Sequence, residues 1–294
     1  MLTKALLLIG GTGTLGAAFR QHLDYSGIDY RFTSNGASQA DPKWIALPDK
    51  ITSAWLSKYG AICYFAQSRK YKSFPNGISE ILEVNTLLPI SLARFSREGN
   101  IPFVYASSGS VYDVSTEFLS EDTFSLKSPG TWDPYIASKI FAETEIRVLN
   151  PESIILRPFF IFGPAAKKPA LFPSLITLIA SGAEVALPED VGLIFNPISA
   201  DIAAQQILFL LSQKQNGVFN LAGTEILTLA WVCNTISYFL DMPLKYTTQG
   251  TKSTVIGDVQ KITNLGFKPI NQQKTALTSY LALACKIELS QSGL

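Results

Sequence analysis

A tyrosine and a lysine four positions apart, Tyr135 and Lys139, are the residues of this sequence best suited to moving a proton. Their spacing places both side chains on one face of a helix. An ammonium close to a phenol favours the ionised form and lowers its pKa from about 10 toward neutrality. Tyr135 would then exchange a proton with a substrate oxygen at neutral pH. A surface pair without a catalytic role is the alternative interpretation.

Two serines favour the catalytic interpretation. Ser107 and Ser108 follow the apolar run FVYA, which predicts a buried strand. Open α/β sheets bind their ligands at the carboxyl ends of the strands. Ser108 would therefore hold the same substrate oxygen to which Tyr135 gives a proton. Serines in such positions are often plain turn residues, so the prediction depends on the three side chains meeting.

A glycine-rich stretch, IGGTGTLG, directly follows the apolar run ALLLI near the start of the chain. Between a predicted strand and a predicted helix, glycines at intervals of three are typical of a loop that lets the backbone approach a pyrophosphate. The amides at the helix N-terminus then face the anion. A merely structural turn is the alternative. The residues expected to contact a dinucleotide here are Gly10, Gly13, Thr14, Leu15 and Gly16.

The residues after the second predicted strand bear on which dinucleotide binds. A carboxylate normally holds the adenosine ribose at this position, but here Thr33, Ser34 and Asn35 stand there. Without a repelling charge a 2′-phosphate is admissible, and Ser34 and Asn35 can donate hydrogen bonds to it. No arginine follows to bind that phosphate. The sequence favours NADP over NAD, with a polar turn as the alternative.

Strand-like and helix-like patterns alternate through the first two thirds of the chain. They predict an α/β fold, a doubly wound parallel Rossmann sheet with a small, discontinuous C-terminal substrate-binding region. We expect a dinucleotide-binding domain over 1–164 and a mainly substrate-binding region over 165–294, with 193–223 returning to the sheet. The predicted strands are ALLLI, YRFTS, WIAL, AICYFA, FVYASS, SIILRPFFIF and VFNLAG, and the predicted helices cover 14–25, 78–98, 135–149, 201–211, 229–240 and 275–285.

Composition excludes several classes of protein. Twenty-four basic and 23 acidic residues leave a net charge of +1 with no basic block, so nucleic acid is not an expected partner. No apolar run approaches the roughly 18 residues that span a bilayer, so a membrane is not expected either. The single histidine, His22, excludes a histidine triad or a zinc site, and no metal is expected. Cys63, Cys233 and Cys285 lie in apolar stretches, which favours reduced, buried thiols in a cytoplasmic protein.

These motifs, in this order, resemble the extended short-chain dehydrogenase/reductase family, which includes nucleotide-sugar epimerases, dehydratases and 4-ketoreductases. The resemblance implies that Tyr135 is the general acid/base and that Ser108 polarises the carbonyl or alcohol. It implies that Lys139 lowers the pKa of Tyr135 and binds the nicotinamide ribose. It also implies that Phe65, Ala66 and Gln67 line the cofactor and that Asn85 lies in the helix behind the site, so these four join the expected cofactor-binding residues. The motifs that carry it are GGTGTLG, AICYFAQS, EVNTLLPISLAR, YASSGSVY, DPYIASKIFAE and ILRPFFIFGP.

Departures from the family pattern bear on the reaction. Gly109 and Ser110 occupy the positions of an acidic pair in family dehydratases, so elimination of water is not expected. Phe160 and Ile194 stand where an asparagine and an arginine meet the diphosphate of a nucleotide sugar. Two apolar residues cannot neutralise phosphate charges.

The leading hypothesis is an NAD(P)-dependent reductase of a keto group on a nucleotide-linked deoxysugar. Either Lys167 or Lys168 then supplies the missing diphosphate contact, or the substrate is not a conventional nucleotide sugar. The alternatives are a nucleotide-sugar C4 epimerase, a reductase of a non-sugar carbonyl, and a non-catalytic NAD(P)-sensing regulator. The helices predicted at 78–98 and 135–149 resemble those that pair in family dimers, so a homodimer is expected.

Overall fold

A six-stranded, all-parallel sheet is the centre of the fold in the computed structural model, which describes residues 4–35, 40–113, 118–122, 133–268 and 272–292. The strand order is β2-β1-β3-β4-β5-β8, so the sheet is doubly wound as expected. The six strands are β1 Leu6–Ile9, β2 Tyr30–Thr33, β3 Ala61–Tyr64, β4 Phe103–Ala106, β5 Ile154–Pro158 and β8 Gly217–Leu221.

Helices cover both faces of this sheet because successive strand residues point to opposite sides. Leu6 and Leu8 of β1 join one core with helices α1 and α7, and Leu7 and Ile9 join another with α4 and α5. No helix in the described ranges is long and apolar enough to cross a bilayer. The helices are α1 Thr14–Tyr25, α2 Ser53–Leu56, α3 Ile78–Leu82, α4 Leu88–Glu98, α5 Pro134–Leu149, α6 Leu171–Ala180, α7 Ala200–Ser212, α8 Leu229–Leu240, α9 Gln260–Asn264 and α10 Gln273–Ser292.

The region predicted as one helix over 78–98 contains a π-helical turn, Glu83–Leu87, between α3 and α4. Pro89 has no N–H to give to the carbonyl four residues earlier, that of Asn85. That carbonyl accepts a hydrogen bond from the Tyr105 hydroxyl at 3.2 Å instead. The wider turn also places the Asn85 side chain inside the protein, where it is fully buried.

The later part of the chain builds a second core from α6, α8 and α10. Two small sheets flank it, one pairing β6 with β10 and one ordered β11-β7-β9. Strand β8 returns to the central sheet beside β5, whereas β7, which also falls within 193–223, does not. The boundary at residue 164 stays a prediction. The short strands are β6 Val185–Ala186, β7 Leu193–Phe195, β9 Leu227–Thr228, β10 Tyr246–Thr247 and β11 Ser253–Val255.

The third predicted strand, WIAL, is reduced to a single parallel bridge between Trp44 and Phe32 at the edge of the sheet. Pro42 and Pro48 flank it and cannot donate to a ladder, which limits pairing to this short stretch. The last predicted helix is longer than expected, since α10 runs from Gln273 to Ser292.

Candidate functional site

The site begins at the carboxyl end of β4, where Ser107 and Ser108 are both buried. Ser108 caps the short 3₁₀ turn that follows, and its Oγ accepts a hydrogen bond from the Ser110 amide at 3.1 Å. Helix α5 then returns to the same place, because Asp133 caps its first turn by accepting from the Ile136 amide at 2.8 Å.

Tyr135 contacts Ser108, and Lys139 reaches the end of the strand that precedes Ser108. The Tyr135 hydroxyl shares a hydrogen bond with the Ser108 side chain. Lys139 is only 2% exposed, and its Nζ donates to the carbonyl oxygen of Ala106, the last residue of β4, at 2.8 Å. One turn of α5 therefore brings a phenol and an amine to the end of the strand that carries the serine.

The pKa of Tyr135 departs from the sequence expectation in direction. Burial raises the pKa of Tyr135 to about 12, although the hydrogen bond with Ser108 acts in the opposite sense. Burial also lowers the pKa of Lys139 to about 7, so this amine carries only part of its charge at neutral pH. The expected lowering of the Tyr135 pKa by Lys139 is therefore wrong for this arrangement, since desolvation dominates both groups.

Asn85 supports the site from behind. Its Oδ1 accepts from the Ser68 amide at 2.9 Å, and its Nδ2 lies 3.2 Å from Ser138 Oγ as donor. Ser138 in turn donates to the carbonyl of Tyr135 at 2.7 Å. These bonds connect the π-helical turn to the start of α5 and fix the backbone that carries the phenol.

The glycine loop is shaped as a dinucleotide cradle. A Cβ at Gly10 would lie 2.5 Å from the Ala66 amide nitrogen, and a Cβ at Gly16 would overlap the Gly10 carbonyl, so neither position admits a side chain. A Cβ at Gly13 would meet only the Gly10 carbonyl oxygen, at 3.6 Å, so space is open there. The amides of Thr14 and Leu15, in the first turn of α1, have no intrahelical partner. The residues present thus fit a pyrophosphate.

The other expected cofactor residues lie at neighbouring strand ends. Phe65 continues β3, its amide donating to the Ile9 carbonyl at 2.7 Å, and Ala66 packs on Gly10. Gln67 is exposed. Ser34 and Asn35 follow β2, and the Ser34 hydroxyl is buried with no hydrogen-bond partner within the described ranges.

Two residues of the β3–α3 loop were not identified from the sequence. The Tyr71 ring lies 5.1 Å from the Tyr135 ring between centroids. The Arg69 guanidinium donates to the carbonyl of Asn35, 34 positions earlier in the chain. No arginine follows β2 in the sequence, but Arg69 reaches this strand end from a separate loop. No local sequence signal marks either residue, because both act across the fold.

The Phe159 ring occupies the space beside the carboxyl end of β4. Its buried ring lies between two glycines: a Cβ at Gly109 would come within 3.0 Å of it and a Cβ at Gly257 within 2.8 Å. The next residue, Phe160, has a φ of 45°, and its ring meets the Phe195 ring edge to face at 4.8 Å between centroids. The surroundings of position 160 are therefore apolar, as the sequence suggests.

The two lysines expected to supply the missing diphosphate contact lie on the surface. Lys167 and Lys168 are exposed. Ile194 lies in β7, where it pairs with β11. Lys72, from the loop that carries Tyr71, donates to the nearby Pro169 carbonyl at 3.3 Å. Two loops therefore meet beside residues 167 and 168, next to the start of α6.

A Rossmann sheet with a glycine cradle and a Ser/Tyr/Lys constellation defines the class of this protein as a nucleotide-cofactor α/β protein. The profile of the NAD dependent epimerase/dehydratase family matches residues 6–222, and the chain belongs to this family. The resemblance stated from the motifs is thereby confirmed.

Known relatives agree with this assignment. The probable low-salt glycan biosynthesis reductase Agl14 of Haloferax volcanii is 30% identical over 148 residues, 49% of this chain and 48% of that relative. The chain thus matches about half the length of this relative. The UDP-N-acetylglucosamine 4-epimerase of Methanobrevibacter ruminantium superposes with a TM-score of 0.77 at 20% identity, covering 99% of this chain and 100% of that one. The dTDP-glucose 4,6-dehydratase DesIV of Streptomyces venezuelae, solved with NAD, gives 0.79 at 19% identity and 98% coverage of both chains.

Proposed function

We propose that this protein is an NAD(P)-dependent reductase of a keto group, with Tyr135 as general acid. One observation carries the proposal: the Tyr135 hydroxyl is bonded to Ser108 and held in its protonated form by a pKa raised to about 12. Reduction of a ketone requires a proton donor, which this phenol is at neutral pH. C4 epimerisation, which also requires the phenolate as base, is the alternative.

Ser108, Tyr135 and Lys139 have different roles in the proposed reduction. The cofactor, when bound, supplies the hydride that reduces the substrate carbon. Ser108 and Tyr135 hold the substrate oxygen, and the Tyr135 hydroxyl gives its proton to the oxygen as negative charge develops there. Lys139 holds the cofactor ribose, as the family resemblance implies. Its pKa of about 7 also lets its ammonium return a proton to the site at neutral pH.

The glycine loop binds the pyrophosphate, and the strand ends hold the rest of the cofactor. We propose NADP as the preferred form, because Ser34 and Asn35 carry no charge that would repel a 2′-phosphate. Phe65, Ala66 and Gln67 line the groove beside the loop.

The proposed substrate is a nucleotide-linked deoxysugar with a keto group. Nucleotide sugars are bound or transformed by the solved relatives, and the glycan reductase relative favours reduction. Phe160 and Ile194 stand where the family has an asparagine and an arginine that meet the diphosphate. Lys72, Lys167 or Lys168 would face the diphosphate instead. A non-sugar carbonyl is the second candidate, favoured by those two apolar residues.

We further propose a homodimer through α4 and α5 and a cytoplasmic location. Leu87, which ends the π-helical turn before α4, is 59% exposed, and Phe141 and Val148 of α5 are 54% and 74% exposed. Phe141 and Val148 lie seven residues apart on one helix face. All three cysteines are free and buried, which is the state that a reducing compartment maintains.

The substitution Tyr135→Phe tests the proposed catalysis. We expect the Kd for NADPH to stay within about twofold and turnover to fall at least about a hundredfold, because the general acid is lost while the cofactor groove is unchanged. The measurement is NADPH oxidation across a panel of nucleotide-linked ketosugars, with Tyr238→Phe on the exposed surface as the control. Full turnover in the Tyr135→Phe protein contradicts the role of the phenol. Cofactor binding without turnover of any carbonyl by the unchanged protein favours the regulator.

A further inference from the structure

The carboxyl end of β2 holds a buried polar group that lacks a partner among the described residues. In a dinucleotide fold this strand end lies beside the adenosine ribose. Ser34 stands there, and its Oγ is buried without a hydrogen-bond partner in the part of the chain that the structure describes. Buried hydroxyls are almost always paired in native proteins. The orphaned hydroxyl therefore indicates that a ligand atom completes this site.

A cation reaches the same strand end from another loop. The Arg69 guanidinium donates to the carbonyl of Asn35, the residue after Ser34. A guanidinium has five N–H donors in a planar fork that suits phosphate oxygens, and the bond to Asn35 uses one of them. Arg69 is exposed, so its remaining donors face solvent rather than the core.

The backbone that carries Arg69 is held in place by α3 and the π-helical turn. The Arg69 amide donates to Glu80 Oε1 at 3.0 Å, and the Ser68 hydroxyl donates to the same oxygen at 2.8 Å. The Ser68 amide donates to Asn85 at 2.9 Å. Because these bonds fix the start of the loop, the cation is oriented toward Asn35 before any ligand arrives.

The charges around this strand end permit an anion. Asp41, the first carboxylate that follows β2 in the chain, is paired with Arg20 at 2.5 Å. Residues 36–39, which lie outside the described ranges, are Gly, Ala, Ser and Gln and contribute no carboxylate. Arg69 therefore adds a positive charge to a strand end after which the first carboxylate already has a partner.

We propose that Ser34 and Arg69 together form the site for the 2′-phosphate of NADPH, which makes Arg69 the residue that selects the cofactor. The Ser34 hydroxyl donates to one phosphate oxygen, and the guanidinium bonds the others. This inference rests on the proposed function in that the chain must bind a dinucleotide, but it assigns the selection to a residue of the β3–α3 loop.

Four proteins test the site: the unchanged chain, Arg69→Gln, Ser34→Asp and the control Lys70→Gln. Lys70 lies in the same loop and faces Glu80 at 3.8 Å, so its replacement removes the same charge elsewhere. The measurement is calorimetric titration with 2′,5′-ADP and with 5′-ADP, followed by NADPH and NADH. These probes report binding without any substrate or turnover.

We expect Arg69→Gln to weaken 2′,5′-ADP and NADPH by about 10- to 100-fold, because a charge-assisted phosphate contact is lost, while 5′-ADP and NADH change by less than about twofold. Lys70→Gln should leave all four affinities nearly unchanged. Ser34→Asp should reverse the preference, since a carboxylate repels the phosphate and accepts from ribose hydroxyls.

The inference is overturned if Arg69→Gln weakens 5′-ADP as much as 2′,5′-ADP, and NADH as much as NADPH. Arg69 would then act on the adenine or on the loop itself. No effect of Arg69→Gln, or an equal effect of Lys70→Gln, overturns it as well. An unchanged protein that binds neither NADPH nor NADH contradicts the proposed function and the inference with it. Selective loss of NADPH with failed turnover of every carbonyl keeps the inference and contradicts the proposed reaction.

Discussion

The Lys139 side chain is buried, and its amine donates a hydrogen bond to the carbonyl of Ala106. Desolvation of its charge lowers the pKa of Lys139 to about 7. In the unfolded chain the same amine has a pKa of about 10.4. Between these two values the unfolded state binds more protons than the folded state, so stability rises with pH in this range.

The substitution Lys139→Met tests this linkage. Each pH unit between about 7 and 10 should add up to about 1.4 kcal/mol to the free energy of unfolding of the unchanged protein through this residue. Met carries no charge, so its advantage over Lys139 should be largest at pH 7 and shrink as the pH rises. Urea unfolding at several pH values measures the difference.

Lys261→Met is the matched control, because Lys261 also donates to a carbonyl at 2.8 Å, that of Val218, but is less buried. This variant measures the effect of losing such a hydrogen bond at a less buried lysine. Parallel stability curves for Lys139→Met and the unchanged protein would contradict the lowered pKa.

Residue types and spacing predicted that Tyr135 and Lys139 share one helix face near Ser108, because a four-residue interval fixes a helix face whatever surrounds it. The direction of the Tyr135 pKa was not predictable in the same way. It depends on how deeply the phenol is enclosed, and part of that enclosure is the Tyr71 ring, which arrives from a separate loop. Arg69 was missed for the same reason.

The glycine loop shows how one element makes different demands on residues of the same type. Gly16 lets α1 approach the Gly10 carbonyl, a contact that any Cβ would prevent. Gly13 has a φ of −71° and open space at its Cβ position, so the fold itself does not require glycine there. The two positions separate packing from ligand binding.

The pair Gly13→Ala and Gly16→Ala tests this separation. We expect Gly13→Ala to keep the Tm of the unchanged protein and to weaken NADPH at least about tenfold, because a methyl group enters the space that faces the pyrophosphate. Gly16→Ala should lower the free energy of unfolding by about 1–3 kcal/mol through overpacking. Thermal unfolding and calorimetric titration measure both. Normal NADPH binding by Gly13→Ala would place the pyrophosphate elsewhere.

Periodicity recovered most elements because it reports which face is buried. It predicted α1 and α8 to the residue, but it joined α3 and α4 into one helix. A single π-helical turn shifts the apolar face too little for a periodic pattern to register. Pro89 was the available signal, since its missing N–H frees the Asn85 carbonyl.

At the scale of the whole molecule, α4 and α5 pack side by side, and apolar residues are exposed on the π-helical turn before α4 and on α5. The proposed homodimer would bury Leu87, Phe141 and Val148 against a second copy. Apolar surface of this kind on neighbouring helices is typical of an association face.

The substitution Phe141→Asp tests that face. A charge placed in an apolar contact without a partner opposes association, so we expect sedimentation velocity to show a dimer for the unchanged protein and a monomer for the variant. Tyr238→Asp, at a residue of α8 that is 80% exposed, should stay dimeric. A monomer at all concentrations of the unchanged protein contradicts the proposal.

The doubly wound, parallel class of the sheet could be predicted because the alternation of strands and helices leaves few topologies for parallel strands. The two small sheets could not, since strands of two or three residues such as β6 and β11 carry no usable period. Their pairing depends on contacts between segments far apart in the chain, such as β6 with β10.

The placement of Phe159 between Gly109 and Gly257 restricts how this enzyme scaffold can change during evolution. A carboxylate at position 109, where dehydratases of the family carry acid, would collide with the aromatic ring before it reached a substrate. Acid at position 109 therefore calls for a smaller side chain at position 159 as well, and that second change would lose packing at a buried position.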